Sequence, residues 1–171
     1  MTNGFSQQTL EAISSGQPGW LTSQRRAAWQ IFEKLPLPTR RDLQWQRFDI
    51  RGLKLDMVAL SIEQPAIRER LTPLPPELSK KGVIFCDMAT ALAKHGDALK
   101  DYLGKSIAPD EPSKFQALHA ALWSNGAFLY VPRDIHCELP LEVVYEMVGQ
   151  NVAAFPHTLV VVEPGAEARS L

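Results

Sequence analysis

The sequence lacks the features that mark most exported and membrane-bound proteins. Its 171 residues include two cysteines, Cys86 and Cys137, which are too far apart to form a CxxC pair. No apolar run approaches the roughly 20 residues that a membrane-spanning helix needs. The N-terminus also lacks the basic segment and following apolar segment of a secretory signal. We therefore expect a cytoplasmic protein without membrane partners, with both thiols reduced.

An excess of charge of either sign is also missing. Lysine and arginine number 18 and the acidic residues 19, for a net charge of −1, so nothing attracts a nucleic acid over distance. Arg40, Arg41 and Arg47 are a local exception and suggest an anion site or a nucleic-acid patch. A solvated basic face near Asp42 and Asp49 agrees better with the neutral total, so we expect no nucleic-acid partner.

The glycine-rich loops that bind nucleotides are absent. Gly82–Met88 has the continuous apolar pattern of a buried strand, and Ala89–Leu103 follows with the pattern of a helix. A dinucleotide or phosphate site at such a step needs GxGxxG or GxxxxGK[ST], and neither occurs. Both nucleotide sites are excluded for these residues. A stand-alone α/β domain that binds a small molecule, centred on Val83–Leu103, stays an alternative.

No metal-binding or nucleophilic motif is present either. The four histidines lie in separate segments, without an HExxH motif or zinc-ligand spacing: His95, His119, His136 and His157. His136 and Cys137 are neighbours, so in a strand they would point to opposite faces. The sequence leaves open a pairing of Cys86 or Cys137 with a distant histidine, but a small core residue is the simpler interpretation of Cys86. We predict no catalytic, cofactor-binding or metal-binding residue and no enzymatic activity.

Prolines are plentiful, and they divide the chain into short elements. There are 13, most of them between Pro36 and Pro164. Helical periodicity predicts a helix at Ser6–Ser15 and another from Thr22 or Ser23 to about Leu35. The apolar stripe of the second helix, which includes Ile31 and Phe32, leaves Arg25 and Arg26 on its outer face. A short helix is predicted for Pro65–Leu71, with proline in its first turn.

The strongest pattern runs from Lys114 to Leu171. It predicts a helix at Lys114–Ser124, followed by strands at Ala127–Val131, Leu141–Val148 and Thr158–Val162. Pro132 and Pro156 have the same separation in sequence as Pro140 and Pro164. We call this separation the proline spacing. At the same spacing, Ile135 aligns with Leu159. A fixed period of this length is typical of a repeat array. The pattern therefore predicts at most two copies of a stacked strand unit, the second of them incomplete.

Several stretches of this chain closely resemble the SufB/SufD family. The resemblance rests on Lys114–Gly126 (KFQALHAALWSNG), Phe128–Arg133 (FLYVPR), Glu138–Leu141 (ELPL) and Phe155–Ala168 (FPHTLVVVEPGAEA). Leu35–Ile50 (LPLPTRRDLQWQRFDI), preceded by Trp29 in a helix, is similar to the SufD branch of that family. Leu43 stands where we expect an acidic residue. The resemblance covers nearly the whole chain and identifies it as an N-terminal portion.

This resemblance implies a non-catalytic scaffold of iron–sulfur cluster assembly. Family members have a helical or mixed N-terminal region, a right-handed parallel β-helix, and C-terminal helices that dock the ATPase SufC. We therefore expect an α+β chain, with residues 1–125 as the helical or mixed region and 126–171 as the first coils of a truncated right-handed β-helix. The implied partners of the full-length protein are SufB-like and SufC-like. The ATPase-docking helices and the cluster-related cysteine and histidine have no counterpart here, so an iron–sulfur cluster is implied only for the full complex.

Another class of function remains as an alternative. A β-helix enzyme acting on carbohydrate would need a carboxylate pair on an exposed face and usually an export signal. Glu142 and Glu146, on one face of a predicted strand, come nearest to such a pair, but a solvent-facing polar row explains them more simply. We also expect that exposed strands near Thr158–Leu171 let the chain form homo-oligomers.

Overall fold

The computed structural model describes residues 5–55, 58, 60, 67–103 and 113–170. The chain divides into two units, which we call the helical unit (residues 1–66, 104–122 and 149–153) and the sheet unit (residues 67–103, 123–148 and 154–171). Together they contain helices and small sheets, which is an α+β composition. Within the described ranges, no helix has the length and apolar character to cross a membrane. The division at residues 125 and 126 remains a prediction.

Five helices and seven strands are present in the described residues. The helices are α1 (Gln7–Ser14), α2 (Gly19–Lys34), α3 (Pro76–Lys80), α4 (Met88–Tyr102) and α5 (Lys114–Leu122), with a 3₁₀ turn at Leu43–Trp45. The strands are β1 (Ile67–Leu71), β2 (Ile84–Asp87), β3 (Ala127–Val131), β4 (His136–Leu141), β5 (Val143–Met147), β6 (Leu159–Val162) and β7 (Glu167–Ser170). The helices predicted near the N-terminus and after Lys114 are confirmed, with small differences at their ends.

The core of the helical unit lies between α2 and α5. Helix α2 buries Leu21, Trp29 and Phe32, and α5 buries residues at positions i, i+1, i+4 and i+5, namely Ala117, Leu118, Ala121 and Leu122. Helical spacing places each set on one face, so the two faces pack together. Pro18 precedes α2, and Pro36 follows its C-terminal cap, Leu35.

Arg25 contradicts the prediction that it lies on the outer face of α2. Its side chain is fully buried, while Arg26 is exposed. Nη1 of Arg25 donates to the carbonyl oxygen of Ala121 at 2.9 Å, and Nε donates to Oε1 of Gln17 at 2.8 Å. A guanidinium is favoured at the C-terminus of a helix, where carbonyl groups lack partners. Burial lowers the pKa of Arg25 to about 10. The hydrogen bond to Ala121 offsets part of the cost of burying its charge.

Lys114 ties the start of α5 to the end of α2. Its Nζ donates to the carbonyl oxygens of Phe32 and Leu35 at 2.8 and 2.7 Å, and lies 4.3 Å from the centroid of the Phe32 ring. These carbonyls belong to the end of α2, which has no intrahelical donors for them. One cation therefore caps α2 through hydrogen bonds and a cation–π contact.

Three small sheets form the sheet unit. Strand β1 pairs antiparallel with β5, β3 lies between antiparallel β2 and parallel β6, and β4 pairs in parallel with β7. Strand β3 has the bounds predicted from the sequence, and β2 and β6 lie within their predicted ranges. Side chains of α3, β3 and β4, together with the residue before β2, form a buried cluster made of Leu78, Val83, Leu129, Val131, Cys137 and Leu141.

The helix predicted for Pro65–Leu71 is wrong over Ile67–Leu71, which form β1. Ile67 and Leu71 are spaced as on one helical face, but they also lie on one face of a strand. Antiparallel pairing with β5 places Ile67 opposite Met147 and Leu71 opposite Val143. Pairing with β5 therefore determines the conformation of Ile67–Leu71, which their local spacing leaves ambiguous.

An aspartate occupies the strand–helix step where a nucleotide site would have glycines. Asp87 ends β2 and caps α4, accepting from the backbone N–H of Thr90 at 2.8 Å and from its hydroxyl at 2.6 Å. Burial opposes ionisation of Asp87, but these hydrogen bonds outweigh it and lower the pKa. An ionised carboxylate at this helix N-terminus stabilises α4 and would repel a phosphate.

Candidate interaction surface formed by two parallel ladders

The sheet unit contains two parallel ladders that begin with the same sequence spacing between paired residues. In the first ladder, β3 pairs with β6, from Phe128 with Leu159 to Val131 with Val162. The second ladder pairs β4 with β7 and begins at His136 with Glu167. We call the interval from Phe128 to Leu159 the ladder spacing. The chain therefore makes two passes, first through β3 and β4 and then through β6 and β7, and the second pass is stacked on the first.

The turns that connect the ladders are also equivalent. Asp134 lies between β3 and β4, Gly165 lies one ladder spacing further on between β6 and β7, and both have positive φ, 60° and 76°. The N–H of Asp134 donates to the carbonyl of Pro164 at 3.3 Å, and a β-carbon at Gly165 would overlap the carboxylate of Asp134. A residue with left-handed backbone geometry, Asp134 in the first pass and Gly165 in the second, therefore forms the turn at the equivalent place in both passes.

The proline spacing does not correspond to the stacking. At the proline spacing, Ile135 would align with Leu159. At the ladder spacing, which is longer, it aligns with Ala166, and the structure pairs Cys137 with Ala168. Between the two passes, β5 pairs with β1 outside the ladders before the chain returns to β6. The sequence contains little sign of the ladder spacing: Val131 aligns with Val162, and the turn residue Asp134 aligns with Gly165.

One edge of the first ladder is covered by strand β2. Strand β2 pairs antiparallel with β3, from Ile84 with Tyr130 to Asp87 with Ala127. The N–H of Met88, at the start of α4, then donates to the carbonyl of Gly126 at 2.7 Å. An antiparallel neighbour on this side satisfies the backbone groups of β3 that β6 does not reach.

The opposite edge, formed by β6 and β7, has no strand paired with it among the described residues. Val160 is paired with Leu129, and Val162 with Val131, so these valines lie on the same face as the buried cluster. They are nevertheless 46% and 43% exposed. Unpaired backbone groups beside exposed β-branched side chains are the features of a surface that accepts another strand.

A cavity of about 700 Å³ adjoins this edge. Its apolar wall comes from both passes of the chain, and its rim is charged; the lining residues are His136, Cys137, Glu138, Val162, Ala166, Glu167, Ala168 and Arg169. His136 and Glu167 lie side by side on the exposed face, with Nδ1 3.4 Å from Oε2. An apolar wall with a polar rim is typical of protein interfaces.

Glu69 on β1 is hydrogen-bonded to Gly126, just before the first ladder. Its Oε2 accepts from the N–H of Gly126 at 2.9 Å, while Oε1 is buried without a hydrogen-bond partner among the described residues. Burial raises the pKa of Glu69; the hydrogen bond from Gly126 opposes this, and the nearby charge of Asp87 adds to it. Tyr145 pairs with Glu69 across the β1–β5 ladder and its hydroxyl lies 2.8 Å from that of Thr158.

The cysteines and histidines do not assemble into a reactive site in the described part of the chain. Neither cysteine forms a disulfide, and burial raises the pKa of Cys86, which disfavours a nucleophilic thiolate. Cys137 is buried and His136 exposed, so the prediction of opposite faces is confirmed. His157 is stacked on Trp123 at 5.4 Å between ring centroids. No group of three or more potential metal ligands occurs in the described residues.

The remaining candidate residues lie apart from the ladders. Glu142 lies between β4 and β5, outside the strand that holds Glu146, and both are exposed, so the predicted shared strand face is not formed. Arg40 lies 3.3 Å from Asp49 in the helical unit, as expected for a solvated face. The sequence predicts a turn at Gly126 but not its hydrogen bond with Glu69, because that contact joins residues distant in sequence.

Comparisons with known proteins agree with the resemblance. Residues 70–143 match the profile described as "SufBD protein N-terminal region". The iron–sulfur cluster assembly protein SufD of Bacillus subtilis is 33% identical over 172 residues, covering 86% of this chain and 39% of that protein. A SufBD family iron–sulfur cluster assembly protein of Arabidopsis thaliana is 27% identical over 207 residues, covering 95% of this chain and 44% of that protein.

The same relationship extends to Mycobacterium tuberculosis. Its SufBD family iron–sulfur cluster assembly protein is 27% identical over 198 residues, which are 95% of this chain and 23% of that protein. Over most of its length, this chain is therefore similar to proteins of the SufB/SufD family, and residues 70–143 are similar to the N-terminal region of that family. The chain spans between 23% and 44% of the length of these relatives.

Proposed function

We propose that this chain is a portion of a SufD-like scaffold that acts in iron–sulfur cluster assembly through protein–protein contacts and catalyses no reaction itself. The relatives named above carry iron–sulfur cluster assembly in their names. The structural observation that carries the proposal is the edge of β6 and β7, unpaired in the described residues, with Val160 and Val162 exposed beside it. A surface of this kind serves association better than chemistry.

We further propose that the ladders are the first coils of a right-handed parallel β-helix. Two stacked passes joined by equivalent turns agree with this architecture, and a right-handed crossover is the common one between parallel strands. In this arrangement β2 covers one end of the stack. The edge of β6 and β7 then receives the next coil in longer members of the family.

The partners of the longer protein are then SufB-like and SufC-like proteins in the cytoplasm, and the iron–sulfur cluster belongs to their complex. A pull-down tests this: a tagged longer form of the protein is expected to retain a SufB-like and a SufC-like protein from the same source. Failure to retain either protein contradicts the scaffold role. Anaerobic incubation of the present chain with iron and sulfide should leave no stable chromophore, and a stable one would contradict the assignment of the cluster to the complex.

We also propose that the isolated chain self-associates through the edge of β6 and β7. Exposed strand edges pair with other strands when nothing covers them. Sedimentation velocity at roughly tens of micromolar protein is expected to show species larger than the monomer, because weak association depends on concentration. A single monomeric species over this range would contradict self-association, while leaving the scaffold role to the pull-down.

A further inference from the structure

A second surface lies in the helical unit, within residues 37–53, which we call the arginine–apolar segment. Four of its large apolar side chains are exposed to solvent, Leu37, Leu43, Phe48 and Leu53. The exposed fractions of Leu43 and Phe48 reach 82% and 62%. Single exposed apolar residues are common, but several in one short segment mark a surface that a partner covers.

Contacts within the arginine–apolar segment, and one with α5, define its shape. The Trp45 ring packs on Phe115 with 5.1 Å between centroids and meets Phe48 edge-on at 6.1 Å. Asp42 accepts hydrogen bonds from the N–H of Thr39 at 2.6 Å and from its hydroxyl at 3.0 Å. Because these contacts already order the backbone, binding would cost less conformational entropy than binding to a disordered loop.

The charges of the segment identify the kind of partner. It carries four arginines and two aspartates, a local excess of positive charge in a chain whose net charge is −1. Asp49 binds two of the arginines, Arg40 at 3.3 Å and Arg51 at 2.6 Å. Arg41 and Arg47 form no ion pair with a described residue. They stand close in sequence to the exposed Leu43 and Phe48.

We propose that the arginine–apolar segment is a docking site for an acidic segment of another protein that carries apolar side chains among its carboxylates. Arg41 and Arg47 would each bind a carboxylate, for which the planar guanidinium is suited. Leu43 and Phe48 would be covered by the apolar side chains of the partner. A nucleic acid fits less well, because its affinity depends on many cations and a phosphate backbone gains nothing from exposed Leu43. This inference does not depend on the edge of β6 and β7.

A peptide titration of the whole chain tests the proposal. The probe is a labelled peptide that alternates glutamate with leucine and phenylalanine, and fluorescence anisotropy reports its binding. We expect saturable binding, with amide chemical shifts changing within residues 37–53. A matched peptide with lysine in place of glutamate, and a single-stranded oligonucleotide, are expected to show no saturable binding. Equal binding of the oligonucleotide would overturn the proposal in favour of a general polyanion site.

Substitutions on the protein give the second arm of the test. Leu43→Ser and the pair Arg41→Glu with Arg47→Glu should each weaken binding at least about tenfold. These side chains are exposed, so the fold should tolerate their replacement. Arg26→Glu, an exposed change on α2, is the matched control and should leave the affinity within about twofold. Absence of saturable binding, or unchanged affinity of the segment variants, would overturn the proposal.

Discussion

Gly126 lies directly against the backbone of His157, just before the first ladder begins. The N–H of His157 donates to the carbonyl of Asn125 at 2.8 Å, and a β-carbon at residue 126 would overlap the carbonyl group of His157. The φ of Gly126 is +143°, a conformation that side chains rarely allow. Glycine at this position therefore permits the close approach of the two passes of the chain.

Replacement of Gly126 by alanine should destabilise the sheet unit. Backbone strain and overlap with His157 together predict a loss of about 3 kcal/mol in the free energy of unfolding. Urea denaturation followed by circular dichroism measures this loss. Gly96→Ala is the control, because nothing lies within 4 Å of a β-carbon there and alanine favours a helix. Equal stability of Gly126→Ala and the wild type would contradict the close approach.

The raised pKa of Glu69 predicts that stability falls as pH rises. The native state binds the proton of Glu69 more tightly than the unfolded state, whose pKa is near the ordinary 4.5. The contribution of Glu69 to stability is thus fully present below about pH 4.5 and is lost as pH rises through the native pKa. Glutamine can still accept the hydrogen bond from Gly126 but has no charge, so Glu69→Gln should remove this part of the pH dependence.

Urea unfolding from about pH 4 to about pH 8 compares the wild type with Glu69→Gln. Asp87, whose pKa is lowered, contributes in the opposite direction and is present in both proteins, so the difference between them isolates Glu69. Glu146→Gln, an exposed change on β5, is the control and should retain the wild-type pH profile. Parallel profiles for the wild type and Glu69→Gln would show that Glu69 has no raised pKa.

Local patterns predicted the elements whose residues determine their own conformation. Strand β3 was predicted at its observed bounds because Ala127–Val131 is a continuous apolar run after the turn at Asn125 and Gly126. Helix α4 was predicted almost at its observed ends, since apolar residues recur there at helical spacing. These signals depend on near neighbours in the chain, so a single sequence contains them.

Pairing between distant residues could not be predicted in this way. Ile67–Leu71 form a strand because β5 lies beside them, and the ladder spacing is determined by the pairing of β3 with β6. The positions of the prolines carry no information about these pairings. The edge of β6 and β7 depends on the same pairings, so only its approximate position near Thr158–Leu171 was predicted.

The burial of Arg25 predicts a large difference between two adjacent arginines. Arg25→Ala removes the donor to the Ala121 carbonyl and leaves a cavity between α2 and α5, so we expect a loss of about 3 kcal/mol in the free energy of unfolding. Arg26→Ala, on the exposed face, should change it by about 0.5 kcal/mol or less. Thermal and urea unfolding of both variants measure the difference. Similar losses for the two would contradict the buried position of Arg25.

Charge at the edge of β6 and β7 should prevent self-association without unfolding the chain. Val160 and Val162 are about half exposed on the face of the buried cluster, so lysine at both positions can extend into solvent in the monomer. A strand pairing with β6 would instead bury these charges, and lysine on edge strands is a common protection against such pairing. Sedimentation velocity should therefore show the Val160→Lys and Val162→Lys double variant as a monomer where the wild type associates. Val148→Lys, the same kind of substitution at one exposed valine outside the edge, should associate like the wild type. Association of the double variant with unchanged strength would exclude this edge as the contact.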